Sequence, residues 1–267
     1  MAALLGHFLM DSAKLTTFLG QLADAASDSI MPHFRANMAV ENKLDHGFDP
    51  VTAADRDAEG AMRKLIGDVF PDHGIVGEEY GPERETADFV WVLDPIDGTR
   101  SFICGLPVWG TLIGLMKDGV PILGMMAQPF TGERFAGDTN RAWYTGPGGD
   151  RALAARQCVA LDEAALFTTS PAILNEVDRA DYDRVEARTR LARYGIDCYA
   201  YCMVASGHAD IVIETGLQAY DIVALIPIIE GAGGIITDWS GGSAAAGGRV
   251  VAAGDRRVHA EALDLLC

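Results

Sequence analysis

Two aspartates stand directly after a long apolar segment of the chain. Residues 90–93 are Val, Trp, Val and Leu, and Asp94, Asp97, Gly98 and Thr99 follow them. The apolar residues predict a buried strand, so both carboxylates come where the strand ends and the chain turns. Two carboxylates at such a point can share a divalent cation and leave the amides of Gly98 and Thr99 for a phosphate. The segment predicts a metal-phosphate site, although taken alone it also fits a polar turn.

Acidic residues stand at the ends of two other apolar segments. Glu78 and Glu79 follow the short run 74–77, and Asp221 precedes the apolar run 222–226. A carboxylate beside an apolar segment must be paired, hydrogen-bonded or metal-bound, because burying an isolated charge is costly. A shared cation would satisfy these acids together. Two simpler roles stay open, since Asp221 could cap a helix and Glu79 could be solvated or contribute to a looser third metal site.

The composition excludes several classes of partner. Asp and Glu outnumber Lys and Arg by 38 to 21, which gives a formal net charge of −17 over 267 residues. This charge argues against nucleic acid or an anionic membrane as a partner, and an anionic substrate would need a metal ion to screen it. The 5 Cys and 6 His show no spacing typical of a zinc site or a disulfide framework.

The location expected from the sequence is the cytoplasm. Residues 1–10 are apolar but lack the basic residues that begin a secretory signal, and Asp11 follows them. No uninterrupted apolar run approaches the length that crosses a bilayer.

Periodicity predicts an α/β (α+β) protein with two units. Helical spacing covers about 11–35, and the pair Thr52 and Asp55 reads as a capping box that opens a helix to about residue 70. Apolar runs at 110–116 and 122–127, separated by a hairpin-like turn at 117–121, predict antiparallel strands, and 134–144 looks like further antiparallel sheet. Beyond the Gly-rich segment 146–149 we expect strands near 167, 211 and 235 and helices near 181–194, 199–207 and 221–231. The expected units are 1–148, with the metal-binding motifs, and 149–267, which completes the metal and substrate site.

Four motifs in order give the chain a family resemblance. They are D-P-V-T-A-A-D at 49–55, G-E-E at 77–79, D-P-I-D-G-T at 94–99, and Y-D at 220–221 followed by E-G-A-G-G at 230–234. With them the chain resembles the inositol monophosphatase family of Mg²⁺-dependent, lithium-sensitive phosphatases. The resemblance implies a layered αβαβα sandwich with its cleft between the two units, and a homodimer, for which we expect the apolar segments 110–127 to offer a surface.

The resemblance also assigns metal ligands. It implies two or three Mg²⁺ ions per subunit. Glu78, Asp94 and the carbonyl oxygen of Ile96 would hold one ion, and Asp94, Asp97 and Asp221 a second near the leaving oxygen.

The same resemblance assigns the remaining catalytic roles. Thr99 and Glu78 would position and deprotonate the attacking water, with Asp55 hydrogen-bonded to the Thr99 hydroxyl, and no covalent intermediate is expected. Asp55 has a simpler alternative as the acid of the capping box. The substrate-binding residues expected in the cleft are Gly98, Thr99, Asp97, Asp197, Glu214 and Asp221.

The substrate is expected to follow from residues 195–201, Gly-Ile-Asp-Cys-Tyr-Ala-Tyr. This run aligns with a Gly-Ser-Ala-Ala stretch that lines the sugar pocket of inositol phosphatases, and it places Asp197 there, beside Glu214 and Asp221. An added carboxylate favours a cationic leaving group. The run, with 99–102 and 105–113, looks like the histidinol-phosphate phosphatases of this superfamily. Alternatively, Asp197 pairs with an arginine and the pocket is general.

Three functions stay open from the sequence. The leading one is a histidinol-phosphatase of histidine biosynthesis, a phosphoric monoester hydrolase acting on a small phosphate ester. The second is an inositol-1-monophosphatase or broad sugar-phosphate phosphatase, and the third is a catalytically silent binding or regulatory protein. The haloacid-dehalogenase-like phosphatases are disfavoured, because their Asp-x-Asp-Gly-Thr motif separates its acids by one residue, whereas two separate Asp94 and Asp97.

Overall fold

The computed structural model describes residues 2–36, 41–42, 50–51 and 53–266. Its helices are α1 (Ala2–Ile30), α2 (Ala53–Val69), α3 (Thr99–Ile103), α4 (Glu176–Glu186), α5 (Tyr199–Ala205), α6 (Ala219–Ile222), α7 (Leu225–Gly231) and α8 (Arg256–Leu266). Its strands are β1 (Glu41–Asn42), β2 (Pro50–Val51), β3 (Gly74–Gly77), β4 (Gly81–Glu83), β5 (Phe89–Asp97), β6 (Gly110–Lys117), β7 (Val120–Gln128), β8 (Glu133–Gly137), β9 (Ala142–Thr145), β10 (Arg151–Leu153), β11 (Ala165–Thr168), β12 (Leu191–Tyr194), β13 (Ile211–Leu217), β14 (Ile235–Asp238) and β15 (Gly248–Ala253).

Strands β1 and β2 pair with each other, and two larger mixed sheets form five layers with the helices. The larger sheet has the order β10-β9-β8-β7-β6-β5-β3-β4, and the smaller has the order β12-β11-β13-β15-β14. Helices α1 and α2 cover one face of the larger sheet, and α5, α6 and α7 lie between the two sheets. Helices α4 and α8 cover the outer face of the smaller sheet. This arrangement confirms the predicted αβαβα sandwich.

Strand β5 is buried on both of its faces, which explains its unbroken apolar run. Trp91 and Leu93 pack into the core under α1 and α2, whereas Val90 and Val92 contact Val223 on the opposite face. A strand in the middle of a layered sandwich has no solvent face, so its sequence does not alternate. The strand therefore delivers its terminal carboxylates from the interior of the protein.

Three glycines on adjacent strands let the helices between the sheets lie directly on the larger sheet. Gly114 pairs with Gly124, and Gly124 pairs with Gly137, so the three lie side by side across β6, β7 and β8. A Cβ atom at Gly124 would lie 1.9 Å from the carbonyl oxygen of Ala224, and one at Gly137 would lie 2.3 Å from that of Pro227. The segment that begins with α6 and continues through α7 therefore approaches the sheet at backbone distance.

Two predicted helices end earlier than expected. Helix α1 ends at Ile30 rather than near 35, because Pro32 has no amide hydrogen and disfavours a helical conformation at Met31. The helix expected over 181–194 ends at Glu186, and residues 191–194 form an edge strand parallel to β11. That strand is set by backbone pairing with a segment distant in sequence, which the periodicity does not reveal. Thr52, half of the predicted capping box, lies outside the described residues.

The structure bears on two predictions, the division into two units and the surface expected for a second subunit. The division into units 1–148 and 149–267 stays a prediction, but the larger sheet continues past residue 148, since β10 pairs with β9. Most of the segment 110–127 does not offer a surface for a second subunit, because β6 and β7 are central strands buried between two helical layers, and of this segment residues 118–120 in the turn are exposed. The homodimer itself stays a prediction of the family resemblance.

We expect Gly124→Ala to lower the free energy of unfolding by about 1–3 kcal/mol, because the new methyl group must displace the backbone at Ala224. Denaturant unfolding measures the change. Gly67→Ala is the matched control: nothing lies within 4 Å of a Cβ atom there, and the residue is exposed within α2. The control should leave stability unchanged or raise it by up to about 1 kcal/mol. Equal effects of the two substitutions would contradict the close packing.

Candidate active site

Three aspartates from two elements converge in the cleft. Oxygen atoms of Asp94, Asp97 and Asp221 all lie within 4.8 Å of one another. The pairing of β5 with β6 shifts register between Asp94 and Asp97, and such an irregularity re-aims side chains. The Thr111 hydroxyl donates to the Pro95 carbonyl oxygen at 2.8 Å, and the Ile96 amide donates to Asp94 Oδ1 at 3.1 Å, which fixes this turn.

Asp221 reaches the other two aspartates from helix α6. It lies in the first turn of that helix, and its Oδ2 accepts a hydrogen bond from the Gln218 amide at 2.6 Å. Asp221 therefore caps helix α6, the role that the sequence left open, and also lies in the cleft with Asp94 and Asp97. One carboxylate satisfies a helix end and contributes to the acidic cluster.

The cluster is electrostatically strained without a cation. Burial raises the pKa of Asp94 well above its usual value, and the neighbouring carboxylates of Glu78, Asp97 and Asp221 raise it further. Burial likewise raises the pKa of Asp97, with Asp197 and Asp221 adding to it, while hydrogen bonding to Cys198 opposes the shift. Carboxylate oxygens crowded in this way are the ligands that Mg²⁺ prefers, and a divalent cation removes their repulsion. The donor set fits Mg²⁺.

A second group of polar side chains continues the cleft away from the metal ligands. A narrow cavity of about 20 Å³ is lined by Asp97, Thr169, Asp197, Cys198, Tyr201, Glu214, Leu217 and Asp221. The Cys198 amide, at the start of α5, donates to Asp97 Oδ2 at 2.7 Å. This bond ties the acidic cluster to the segment that carries Asp197.

Asp197 occupies a strained and specific position. Its φ of 40° lies in the left-handed region, where Asp and Asn are tolerated better than most residues. The Ser101 hydroxyl donates to its Oδ2 at 2.8 Å, and a Cβ atom at Gly98 would lie 2.8 Å from the same oxygen. Burial raises the pKa of Asp197, whereas hydrogen bonds from Ser101 and Thr169 and the positive charge of Arg100 lower it. Arg100 is therefore an arginine whose charge acts on Asp197, and the pairing that the general-pocket interpretation requires stays a prediction.

Glu214 is buried on the far side of the cavity. Its Oε1 accepts from the Thr169 amide at 2.5 Å, and its Oε2 accepts from the Thr168 hydroxyl at 3.3 Å. Burial raises the pKa of Glu214 to about 7 in spite of these hydrogen bonds. The Tyr201 hydroxyl is also buried and has no hydrogen-bond partner within the described residues. A buried, unpaired phenol beside carboxylates is available to a polar ligand.

Of the other predicted residues, Glu78 lies close enough to Asp94 to act on it electrostatically. Asp55 is buried in the first turn of α2, and Glu78 and Glu79 lie half-buried after β3. The Thr99 hydroxyl donates to the Ile96 carbonyl oxygen at 3.0 Å, and its expected bond to Asp55 stays a prediction.

Sequence reasoning missed the groups that hold the acids in place. Thr168 and Thr169 had no recognisable motif, and Ser101 and Tyr201 stood within recognised motifs without a role. Glu59 was not singled out, although its place one helical turn after Asp55 put it on the same helix face.

The comparisons place this geometry among known proteins. A profile described as the inositol monophosphatase family matches residues 11–266. The chain belongs to the inositol monophosphatase family. Members are metal-dependent phosphatases that act on phosphate esters, typically with Mg²⁺, and the acidic cluster accords with that chemistry.

Individual relatives carry names for different substrates. The bifunctional phosphatase IMPL2, chloroplastic, of Arabidopsis thaliana is 46% identical over 256 residues, 92% of this chain and 72% of that protein. A histidinol-phosphatase of Chlorobaculum parvum is 33% identical over 222 residues, covering 83% of this chain and 84% of that protein. A solved inositol monophosphatase from Zymomonas mobilis superposes with a TM-score of 0.84 at 42% identity, over 94% of this chain and 96% of that chain.

Among the described residues, no helix combines the length and apolar character needed to cross a membrane. The cytoplasmic location stays a prediction, since one relative is named as chloroplastic.

We expect the metal-free protein to lose stability as the pH rises from 5.5 to 7.5. The pKa of Glu214 is raised from 4.5 to about 7 on folding, so its contribution is fully present below pH 4.5 and is lost through pH 7. The loss for this group is about 2 kcal/mol over that interval, because a tenfold change in proton affinity is worth about 1.4 kcal/mol. Thermal unfolding in EDTA measures it.

Glu214→Gln should flatten this pH dependence, because the glutamine side chain does not titrate. Its amide oxygen can still accept the hydrogen bond from the Thr169 amide. Adding Mg²⁺ should raise the melting temperature most at the higher pH, where the carboxylates of the cluster bind it ionised. An unchanged slope in the variant would contradict the assignment to Glu214.

Proposed function

We propose that the chain is a Mg²⁺-dependent phosphomonoesterase that hydrolyses histidinol phosphate to histidinol and phosphate in histidine biosynthesis. The observation that carries the choice of substrate is Asp197, whose carboxylate lines one narrow cavity with Glu214, Asp97 and Asp221. Asp197 and Glu214 are not among the proposed metal ligands, so their negative charge would suit a positively charged leaving group, and histidinol phosphate carries an ammonium group and an imidazole.

The acidic cluster supports the metal part of the proposal. Glu78, Asp94, Asp97, Asp221 and the carbonyl oxygen of Ile96 would hold two or three Mg²⁺ ions per subunit, with Asp94 shared. When bound, Mg²⁺ supplies charge neutralisation for the phosphoryl oxygens and the leaving oxygen and lowers the pKa of the attacking water.

The chain's own residues do the remaining work. Glu78 accepts the proton of the attacking water, which Thr99 helps to orient, and buried Asp55 supports Thr99 from α2. Gly98 and Thr99 bind the phosphate through their backbone amides at the turn after β5. Water attacks directly in this scheme, so no phosphorylated side chain forms.

Recognition of histidinol falls to the second group of side chains. Asp197 and Glu214 would accept hydrogen bonds from the ammonium and the imidazole. Hydrogen bonds between a carboxylate and a charged donor are stronger than those between neutral groups. The unpaired Tyr201 hydroxyl supports a polar leaving group in the same cavity, since binding it would satisfy a buried atom that has no partner among the described residues. The name of the Chlorobaculum parvum relative also supports this substrate.

An inositol-1-monophosphatase or broad sugar-phosphate phosphatase is the second candidate. The name of the Zymomonas mobilis structure favours it, as does Arg100, whose charge partly compensates Asp197. Parallel assays of histidinol phosphate and inositol 1-phosphate separate the two candidates. A preference for inositol 1-phosphate would reject the histidinol assignment and leave the metal chemistry standing.

We expect EDTA to abolish phosphate release and added Mg²⁺ to restore it. Asp94→Asn should lower kcat by several orders of magnitude, because the buried carboxylate is shared by two proposed metal positions. Phosphate release at saturating Mg²⁺ measures the effect. Substantial activity in chelator, or in the variant, would refute the metal mechanism.

Asp197→Asn should lower kcat/KM for histidinol phosphate by about one to two orders of magnitude, the equivalent of a charge-assisted hydrogen bond of about 1.5–3 kcal/mol. Asn tolerates the left-handed backbone and can still accept from Ser101, so the substitution removes mainly the charge. Activity on inositol 1-phosphate should change by less than about threefold.

Asp118→Asn is the matched control, because Asp118 also has a left-handed φ, of 50°, and is exposed in the β6–β7 turn. It should leave both substrates unaffected. An equal loss on both substrates in Asp197→Asn would assign Asp197 to structure instead of recognition.

A further inference from the structure

One face of helix α2 carries charged residues at four-residue intervals. Asp55, Glu59 and Arg63 follow one another at this spacing, which places them on the same side of the helix. Glu59 is completely buried, with an exposed fraction of 0%. A buried carboxylate must be paired and hydrogen-bonded, so its partners indicate what it does.

Glu59 binds the turn that follows strand β3. Its Oε2 accepts from the Glu79 amide at 2.7 Å, and its Oε1 accepts from the Tyr80 amide at 3.2 Å. Arg63 donates through Nε to the same carboxylate at 2.7 Å and through a second nitrogen to the Gly81 carbonyl oxygen. Helix α2 therefore binds three consecutive residues, Glu79 and Tyr80 in the turn and Gly81 at the start of β4.

The turn held in this way is the one that begins with Glu78. Strands β3 and β4 pair with Gly77 opposite Gly81, so residues 78–80 connect them. The Glu78 amide donates to the Leu93 carbonyl oxygen of β5 at 3.2 Å. The peptide group before Glu78 thus donates to the sheet, and the peptide group after it donates to the Glu59 carboxylate. These two bonds leave the Glu78 backbone little freedom.

Gly77 makes this approach possible. A Cβ atom there would lie 2.0 Å from Glu59 Oε1, so any other residue would push the carboxylate away from the turn.

We propose that Glu59 is a positioning residue that holds Glu78 against Asp94 for metal binding, an inference that rests on the proposed function. Glu78 lies close enough to Asp94 to act on it electrostatically and through a side-chain hydrogen bond, so an outward movement of this turn would separate two proposed ligands of one ion. The hydrogen bonds of Glu59 oppose that movement. Since Arg63 forms an ion pair with Glu59, the two side chains together add no net charge beside the proposed metal ligands.

Two substitutions at Glu59 test the proposal. Glu59→Asp keeps the negative charge beside Arg63 but is one methylene shorter and cannot reach both amides. Glu59→Gln keeps the length but places an NH₂ group against the donors that the carboxylate accepts from. An effect in the Asp variant therefore reports lost position and not lost charge.

Asp210→Asn is the matched control. Asp210 is also buried, at 1% exposed, and accepts from the Ala165 amide and from Arg156 Nε, both at 2.7 Å. It lies at the start of β13 and is not among the cleft residues. Its loss should cost stability in the way that a change at Glu59 does, without touching the Glu78 turn.

Isothermal titration of each metal-free protein with Mg²⁺ gives the readout, and melting temperatures with and without Mg²⁺ accompany it. We expect both Glu59 variants to weaken Mg²⁺ binding by about 10–100-fold, as residues that orient metal ligands commonly do. At saturating Mg²⁺ their kcat should recover most of the wild-type value, because a bound ion would hold Glu78, the proposed base, against Asp94. Asp210→Asn should bind Mg²⁺ as the wild type does, even where its melting temperature falls.

Several outcomes would overturn the proposal. They are wild-type Mg²⁺ affinity in Glu59→Asp, equal weakening in Asp210→Asn, or failure of both Glu59 variants to fold, which would assign Glu59 to the fold alone. A wild-type protein that neither binds Mg²⁺ nor releases phosphate would instead refute the proposed function. The two failures are therefore distinguishable.

Discussion

Repulsion between carboxylates is the constraint on which the rest of this structure depends. Asp94, Asp97 and Asp221 bring oxygen atoms within 4.8 Å of one another, and burial makes their charges more costly. Such a cluster persists only where each carboxylate is fixed by its surroundings. Backbone amides of Ile96, Cys198 and Gln218 each donate to one of the three, so every acid is held by a different segment of chain. The geometry that suits a divalent cation is also a geometry whose carboxylates repel one another when no cation is bound.

The layered fold opposes that repulsion. Strand β5 carries Asp94 and Asp97 out of the interior, and the glycine row of β6, β7 and β8 seats the segment after Asp221 directly on the same sheet. Two parts of the chain that are over a hundred residues apart are thereby fixed on one rigid support. Catalytic constellations placed on packed elements hold their distances better than those placed on free loops. The proposed hold of α2 on the Glu78 turn extends the same principle to the edge of the sheet.

The proposed metal site and the proposed substrate pocket meet at Asp97. Its carboxylate belongs to the acidic cluster, and it accepts from the Cys198 amide, which immediately follows Asp197. This bond is made by the backbone, so a side-chain substitution in residues 195–201 can alter the proposed leaving-group pocket without removing the donor that holds Asp97. Relatives in this family bear names for different phosphate esters.

The sequence alone determined the acids, their order and the strands that deliver them, because these features depend on local patterns. An apolar run that ends in two carboxylates reads as a buried strand entering a site, and β5 lies where that pattern predicted it. Only the tertiary structure decided what surrounds the acids. Ser101 meets Asp197, Thr169 meets Glu214, and Glu59 meets the turn at Glu79, and each pair joins segments whose separation carries no local signal. It also decided that 191–194 is an edge strand and that most of 110–127 is interior, because long-range pairing and layer packing, not periodicity, fix both.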